Sequence, residues 1–447
     1  MVHNFTKGRL VMPMIQFTIP FILANYLQLT YNAVDSIIVG RFLGPEALAA
    51  VGTSNPLMTL LIMLLRGTTL GTGVLIGTMF GAGDYPRLRK QISTALLAGA
   101  VCSLVLSLAV STCASDILRL LHVDPSILPL ASGYLRTISY GLIFTFLYNY
   151  LSSTMQALGD GKTPLIFLAI SALTNIGGDL LLIVVFHLGV NGAAAATVLS
   201  EAFSCLLCML YIRSHVPVLN LGKAWFVFDI SVLRRTLQYG SVSAIQQATV
   251  QLGILGVQGA VNSLGVSTTA AFAAANRVDD FALIPTRSIA NAMTSVIAQN
   301  WGARDRKRIR KAFAGGALTD IVYGALVGGL LFIAASRAMY LFTQDQKVVS
   351  EGEIYLRLIC LMYTLPALTN AIQGFFRGIG DLKITLASSI VNMSIRFITT
   401  FVLIVNVHMD IAAVPYGCLA GWLGMLVWEI PFLIRRFRKK QPAGPMI

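Results

Sequence analysis

Along the chain, apolar residues gather into blocks of about twenty, the length needed to cross a bilayer core of about 30 Å. The blocks fall at roughly 12–40, 46–80, 92–114, 131–156, 163–187, 190–212, 236–262, 267–300, 312–335, 353–376, 384–407 and 411–434. They predict an all-α membrane protein of twelve transmembrane helices. A stretch at 213–235 with Pro217, Gly222 and several charges reads as a linker. The expected organisation is an amino-terminal lobe over 1–215 (spans 1–6), a cytoplasmic linker over 216–233 and a carboxy-terminal lobe over 234–447 (spans 7–12). Lys7 and Arg9 lead straight into the first block, the mark of a retained span rather than a cleaved signal.

The second half repeats the first at one constant offset. Gly44 falls on Gly265, Arg66 on Arg287, and Gly81-Ala82 on Gly302-Ala303. Asp84, Arg87, Arg89 and Lys90 fall on Asp305, Arg308, Arg310 and Lys311; Tyr134-Leu135-Arg136 falls on Tyr355-Leu356-Arg357; Gly159, Asp160 and Lys162 fall on Gly380, Asp381 and Lys383. Chance likeness between apolar helices would match Leu and Val, not loop charges, so the chain is a duplication. Each repeat has six spans, an even number, so both halves enter the membrane in the same sense. They are then related by a pseudo-two-fold along the membrane normal, the parallel-repeat plan of secondary transporters, with the substrate site between the halves.

Composition agrees with a membrane protein: 56% of the 447 residues are hydrophobic and only 12% charged, with mean hydropathy +0.74. The net charge of +14 points to nucleic acid only until its placement is considered. Most of the basic residues sit in segments at one end, among them Lys7, Arg9, Arg87, Lys162, Lys223, Arg304, Lys307, Arg310, Lys383, Arg435, Lys439 and Lys440, whereas the opposite loops hold Arg41, Arg119, Arg337 and Lys347. This positive-inside bias places both termini in the cytoplasm and the multi-pass chain in the plasma (inner) membrane. No nucleic-acid partner is expected; the lipid bilayer and a small-molecule substrate are, with the protein as a monomer. The six cysteines lie within or at the ends of spans. Cys205 and Cys208 have C-x-x-C spacing, but no second pair or nearby histidine completes a metal site, so they read as small packing residues.

Within hydrocarbon, ionisable groups are costly and tend to mark ion pathways. The first span carries Asn25, Gln28, Asn32 and Asp35 within a stripe roughly 80° wide at about 100° per residue. The fifth carries Ser171, Asn175 and Asp179 at i+4 steps, and the sixth Thr197, Ser200, Glu201 and Ser204 on one face. Carboxylates with amide and hydroxyl oxygens suit a proton or a hard cation. Ser171 and Ser204 fit simple hydrogen bonds to neighbouring helices. Asp35 and Asp179 have no Lys or Arg within one turn to neutralise them. At the matching positions the second half has Gly256 and Thr400, with Arg396 in place of Asn175, and its first helix keeps only an amide stripe that includes Gln247, Gln251, Gln258 and Asn262. The coupling chemistry is therefore expected in the first half. Asp279 and Asp280 could line a substrate cleft with Gln247 and Gln251, or pair locally with Arg277 or Arg287; Arg396 is either a fixed positive charge or a partner of an acid on another helix. Pro20 permits a kink ahead of the acidic stripe, whereas Pro13 suits a helix start.

Over nearly its whole length the sequence resembles the multidrug and toxic compound extrusion (MATE) family, its DinF-like members in particular. The resemblance rests on Val34-Asp35-Ser36-Ile37-Ile38-Val39-Gly40 followed by Gly44, Gly81-Ala82-Gly83-Asp84, Ala157-Leu158-Gly159-Asp160, Asn175 with Asp179, and Gly302-Ala303. It implies antiport in which inward H⁺ or Na⁺ drives export of organic, often cationic, compounds. It also implies that Asp35, Asn175, Asp179 and Thr197 hold the ion, with Asn149 and Tyr134 in support and Pro20 as the hinge proline. Some members place an acid in the seventh span where this chain has Gln246 and Gln247. No cofactor beyond the coupling ion is implied.

Two other readings remain. A lipid-linked saccharide flippase of the same wider superfamily would use Arg66, Arg277, Arg287 and Arg396 for pyrophosphate. A non-transporting receptor would not need unpaired carboxylates on three converging helices. An enzyme is not expected, because the sequence offers no nucleophile–base pair, metal cluster or phosphate loop, and its five histidines lie at the start of the chain or at span ends.

Overall fold

A computed structural model describes residues 3–219 and 226–438; Gly222 and Lys223 of the expected linker, and Lys439 and Lys440, lie outside the described residues. Fourteen α-helices carry the fold, and no strand occurs among the described residues. In the first half these are α1 (Val11–Leu43), α2 (Pro45–Ala82), α3 (Tyr85–Leu120), α4 (Leu128–Tyr140), α5 (Leu142–Ala157), α6 (Lys162–Asp179) and α7 (Gly189–His215). In the second they are α8 (Ile230–Asn262), α9 (Val266–Gly302), α10 (Arg306–Tyr340), α11 (Gln346–Cys360), α12 (Thr364–Gly378), α13 (Leu382–Val405) and α14 (Ala413–Arg438).

Two spans read as continuous from hydropathy are interrupted. Block 131–156 is α4 and α5, separated at Gly141; block 353–376 is α11 and α12, which meet at an angle of 54°. The interruptions fall at equivalent places of the repeat, so fourteen helices account for twelve spans. Among the described residues, α2, α3, α6 with the turn that extends it, α7, α10, α13 and α14 are each long and apolar enough to span a bilayer, and the bent α11–α12 pair is an eighth. The other four spans are α1, α4–α5, α8 and α9, of which α1 and α8 carry polar stripes, while the stripes of α6 and α7 sit on helices that meet that measure.

The backbone repeats as the sequence does. Left-handed φ values recur at paired positions: Gly44 (87°) and Gly265 (98°), Gly83 (71°) and Arg304 (59°), Gly159 (86°) and Gly380 (80°), His187 (54°) and His408 (57°). At Gly44 and Gly265, directly ahead of α2 and α9, glycine meets no steric penalty for this conformation. Asp84 caps α3 by accepting from the Arg87 amide at 3.2 Å, and Asp305 caps α10 from the Arg308 amide at 3.0 Å.

The chain divides into two compact units: Ile19–Ala244 together with the residues up to Asn4, and Phe5–Thr18 together with Ile245 onward. The sequence assigns 1–215 to one lobe; the contacts instead give the first turns of α1 to the second unit. The cause is local. The Phe5 amide donates to Gln299 Oε1 at 2.9 Å, and the Arg308 guanidinium donates to the carbonyls of Phe5, Lys7 and Gly8. In the first unit, the segment entering α8 is fastened to α3. Ser93 Oγ donates to Val227 O at 2.6 Å, the Asp229 amide donates to Thr94 Oγ1 at 3.0 Å, and Gln91 Nε2 donates to Thr236 Oγ1 at 2.8 Å.

Candidate functional site

The first unit gathers its polar residues from α1, α2, α4, α5, α6 and α7. Asp179 is the last residue of α6, where the helix widens into a π turn over Leu180–Val185. Single π turns commonly occur at functional positions because they break the regular i→i−4 ladder. Asp179 is fully buried, and its carboxyl group stands against that of Asp35 on α1, close enough to share a proton. Neither Asp179 oxygen nor Asp35 Oδ1 receives a hydrogen bond from any described residue. Asn175, one turn before Asp179 and 2% exposed, turns its amide nitrogen to Thr197 Oγ1 at 3.2 Å and leaves Oδ1 unpartnered. Thr197 Oγ1 in turn donates to Ala193 O at 3.2 Å. Tyr134 of α4, also buried, lies beside both carboxylates.

The buried Asp179, the half-buried Asp35 and the Asn175 amide oxygen form an acceptor-only cluster without donors. Such a cluster needs a positive charge or a proton, since an uncompensated charge in a low-dielectric interior is among the costliest arrangements in a protein. Among the described residues no Lys or Arg neutralises this pair. Asp35, Asn175, Asp179 and Thr197 are thus brought together, with Tyr134 beside them.

Glu201 belongs to a neighbouring chain of contacts. Thr145 Oγ1 donates a short hydrogen bond to Glu201 Oε2, and the Arg66 charge lies close by. Arg66 Nη2 donates to Gln28 Oε1 at 2.8 Å, and Tyr31 joins Gln28 to the vicinity of Glu201 and Asp35. Glu201 is therefore partnered where Asp179 is not. Asn149 spends its amide on Thr145 O of its own helix at 2.7 Å, and Asn32 is exposed on α1; neither joins the acid pair. Pro20 sits inside α1, next to Ile19, where α1 passes from the second unit to the first.

In the second unit, Asp280 forms an exposed ion pair with Arg287 at 3.2 Å. Asp279 accepts from the Tyr363 hydroxyl at 2.7 Å and lies near Arg396. No ion pair within 4 Å joins Arg396 to an acid among the described residues, and its Nε has no hydrogen-bond partner. Gln247 and Gln251 are half-buried. Their neighbour Gln246 is drawn into a buried network instead: it donates to Gln373 Oε1 (2.8 Å) and Ser389 Oγ (3.0 Å), while Gln373 donates to Ser388 Oγ (2.7 Å) and Glu429 Oε1 (3.0 Å). Glu429 of α14 and Asp320 of α10 are fully buried acids that the repeat-guided reading passed over. A single charge inside an apolar block was the signal available for each.

The profile of the MatE family matches residues 20–181 and 243–402. The chain is 28% identical over 433 residues to the probable multidrug resistance protein YoeA of Bacillus subtilis, covering 95% of this chain and 94% of that protein. It is 27% identical over 390 residues to the probable multidrug resistance protein YpnP of the same organism, covering 87% of each. Its fold is that of a MATE crystal structure in complex with MaL6, with TM-score 0.91 at 21% identity over 98% of this chain and 99% of that one.

Proposed function

Because the chain belongs to the MatE family of multidrug efflux transporters, we propose that it is a secondary antiporter that exports small organic compounds and takes up H⁺ or Na⁺ at Asp35, Asn175, Asp179 and Thr197. One observation carries this reading: the buried carboxyl of Asp179 meets the half-buried one of Asp35 with no donor and no basic neutraliser among the described residues. Two carboxylates side by side cannot both stay ionised cheaply, so the pair gains or loses a cation when its surroundings change. A transporter uses that property by loading the pair from one side of the membrane and discharging it to the other. Pro20 removes one backbone hydrogen bond from the helix that carries Asp35 and gives that helix a place to bend with occupancy. The substrate contacts proposed in the second unit are Asp279, Asp280, Gln247 and Gln251. The protein acts as a monomer in the plasma membrane with both termini in the cytoplasm.

The flippase alternative needs free guanidinium groups for pyrophosphate. Arg66 is engaged by Gln28 and Arg287 by Asp280, which favours the efflux reading.

The test is reconstitution in liposomes, following efflux of a cationic dye under imposed pH or Na⁺ gradients. Asp35→Asn and Asp179→Asn should each reduce gradient-driven efflux to the level of protein-free vesicles while the purified protein keeps its helical content. The gradient that drives the wild type identifies the ion. Normal driven efflux in both variants would overturn the assignment.

A further inference from the structure

We propose that Asp320 of α10 is a second proton-binding carboxyl, located in the second unit and separate from the Asp35–Asp179 pair. The buried stripe of α10 runs Ala312, Gly316, Asp320, Gly324, Gly328. Its small members let neighbouring helices approach closely. A Cβ at Gly316 would stand 2.2 Å from Met293 Sδ, at Gly324 2.8 Å from Tyr363 O, and at Gly328 2.4 Å from Cys360 O. In the middle of this contact sits a fully buried carboxyl group whose two oxygens receive no hydrogen bond from any described residue.

The repeat shows that packing does not require an acid there. The position equivalent to Asp320 is Gly99, and a Cβ on Gly99 would lie 2.0 Å from Phe146 Cζ. The position equivalent to Phe146 is Ala367. One half of the chain fills this space with a ring over a glycine; at the equivalent positions the other half has Asp320 and Ala367. The same steric problem has an apolar solution in the same protein, so the carboxyl serves another purpose.

The helices packed most closely on α10 are α9, α11 and α12, while Val11 of α1 meets Gly315 and Phe437 of α14 meets Phe313, both further towards the start of α10 than Asp320. The contacts of Tyr323 with Ala282 O and of Gly316 with Met293 set residues near 286–289 of α9 at the level of Asp320. Those of Gly324 with Tyr363 and Ala367 set residues near 367–371 of α12 there. The polar side chains at that level, besides Arg287, are Thr286, Ser288, Thr369 and Asn370: Asn370 donates to Thr286 Oγ1 at 3.3 Å, Ser288 Oγ to Ile284 O at 2.8 Å and Thr369 Oγ1 to Pro366 O at 3.2 Å. Of the titratable groups, Arg287 is paired with Asp280, Tyr363 donates to Asp279, Tyr355 donates to Asn276, and Glu353 pairs with Arg357. Arg377, further along α12, lies near Glu429. Among the described residues no charged group acts on Asp320.

These surroundings suit the neutral acid and reject the anion. A hard metal ion takes about six or more oxygens, and Asp320 alone does not provide such a cage, so the ligand is a proton. Release requires the pocket to open. The α11–α12 joint supplies a means, because the carbonyls of Cys360 and Tyr363 at that bend pack on Gly328 and Gly324, two turns and one turn from Asp320. A shift of the joint admits water, the O–H bond breaks and the proton passes to that water. This step rests on the coupled-transport reading above.

Infrared difference spectra of the full chain in lipid vesicles, recorded while pH is varied, test the site. A protonated-carboxyl band that disappears as pH rises should be present in the wild type and missing in Asp320→Asn. It should also be missing in the double variant Asp320→Gly with Ala367→Phe, which installs the packing of the other half and guards against a folding defect. In H⁺-driven efflux both variants should move one proton fewer per substrate. A band unchanged in both variants, or an Asp320 band that persists at every pH, would overturn the proposal. The same spectra of Asp35→Asn and Asp179→Asn separate the two readings: normal driven efflux there sinks the coupling site, whereas the Asp320 band stands or falls on its own.

Discussion

Asp229 shows how much one side chain outside the membrane can organise. Its carboxylate accepts from Ser231 Oγ (2.6 Å), from the Ser231 and Val232 amides (3.0 and 3.4 Å) and from Lys90 Nζ (3.3 Å). The Ser231 hydroxyl first, then the Val232 amide, with smaller help from the Ser231 amide and Lys90, holds the acid down at about 2 against its usual 3.8. A carboxyl depressed in the folded state stabilises above its unfolded pKa and loses that contribution as pH falls through the folded value. Asp229→Ala should therefore melt at a lower temperature than the wild type at pH 7. The gap should stay constant down to about pH 4 and close between there and about pH 2. A gap that widens with acidification would contradict the capping role.

At the scale of elements, α10 contains its own control. Gly328 faces Cys360 O at a distance no Cβ tolerates, whereas its neighbour Gly329 meets nothing within 4 Å. Gly328→Ala should cost about 1–3 kcal/mol through overpacking, and Gly329→Ala should gain up to about 1 kcal/mol from reduced backbone entropy; thermal unfolding of the two purified variants measures both. Span number and approximate limits were legible because hydrocarbon thickness dictates them. The interruptions at Gly141 and between Cys360 and Thr364 were not, since hydropathy averages over a bend and the two breaks share no residue type. The acid pair was legible too, because Asp35 and Asp179 repeat with other polar residues at helical spacing. Asp320 and Glu429 escaped for a different reason. Following the duplication from Asp35 and Asp179 leads to Gly256 and Thr400, while the acids of the second half stand on other helices, opposite Gly99 and Cys208. Long-range clasps such as Arg308 on Phe5 leave no local pattern at all.

For the whole molecule, the asymmetry of Lys and Arg sets the orientation proposed above. On a background lacking the six native cysteines, His122→Cys should react with a membrane-impermeant maleimide in intact cells, and Lys307→Cys only after permeabilisation. The reverse labelling pattern would invert the topology and with it the direction assigned to transport. The clasp of the first residues also has a temporal side. Phe5 leaves the ribosome 294 residues ahead of Gln299, the acceptor its amide awaits. At about 5–20 residues per second that is a delay of roughly 15–60 s. For that interval the Phe5 segment has no seat, so the stretch ahead of α1 is secured only after α9 has been made.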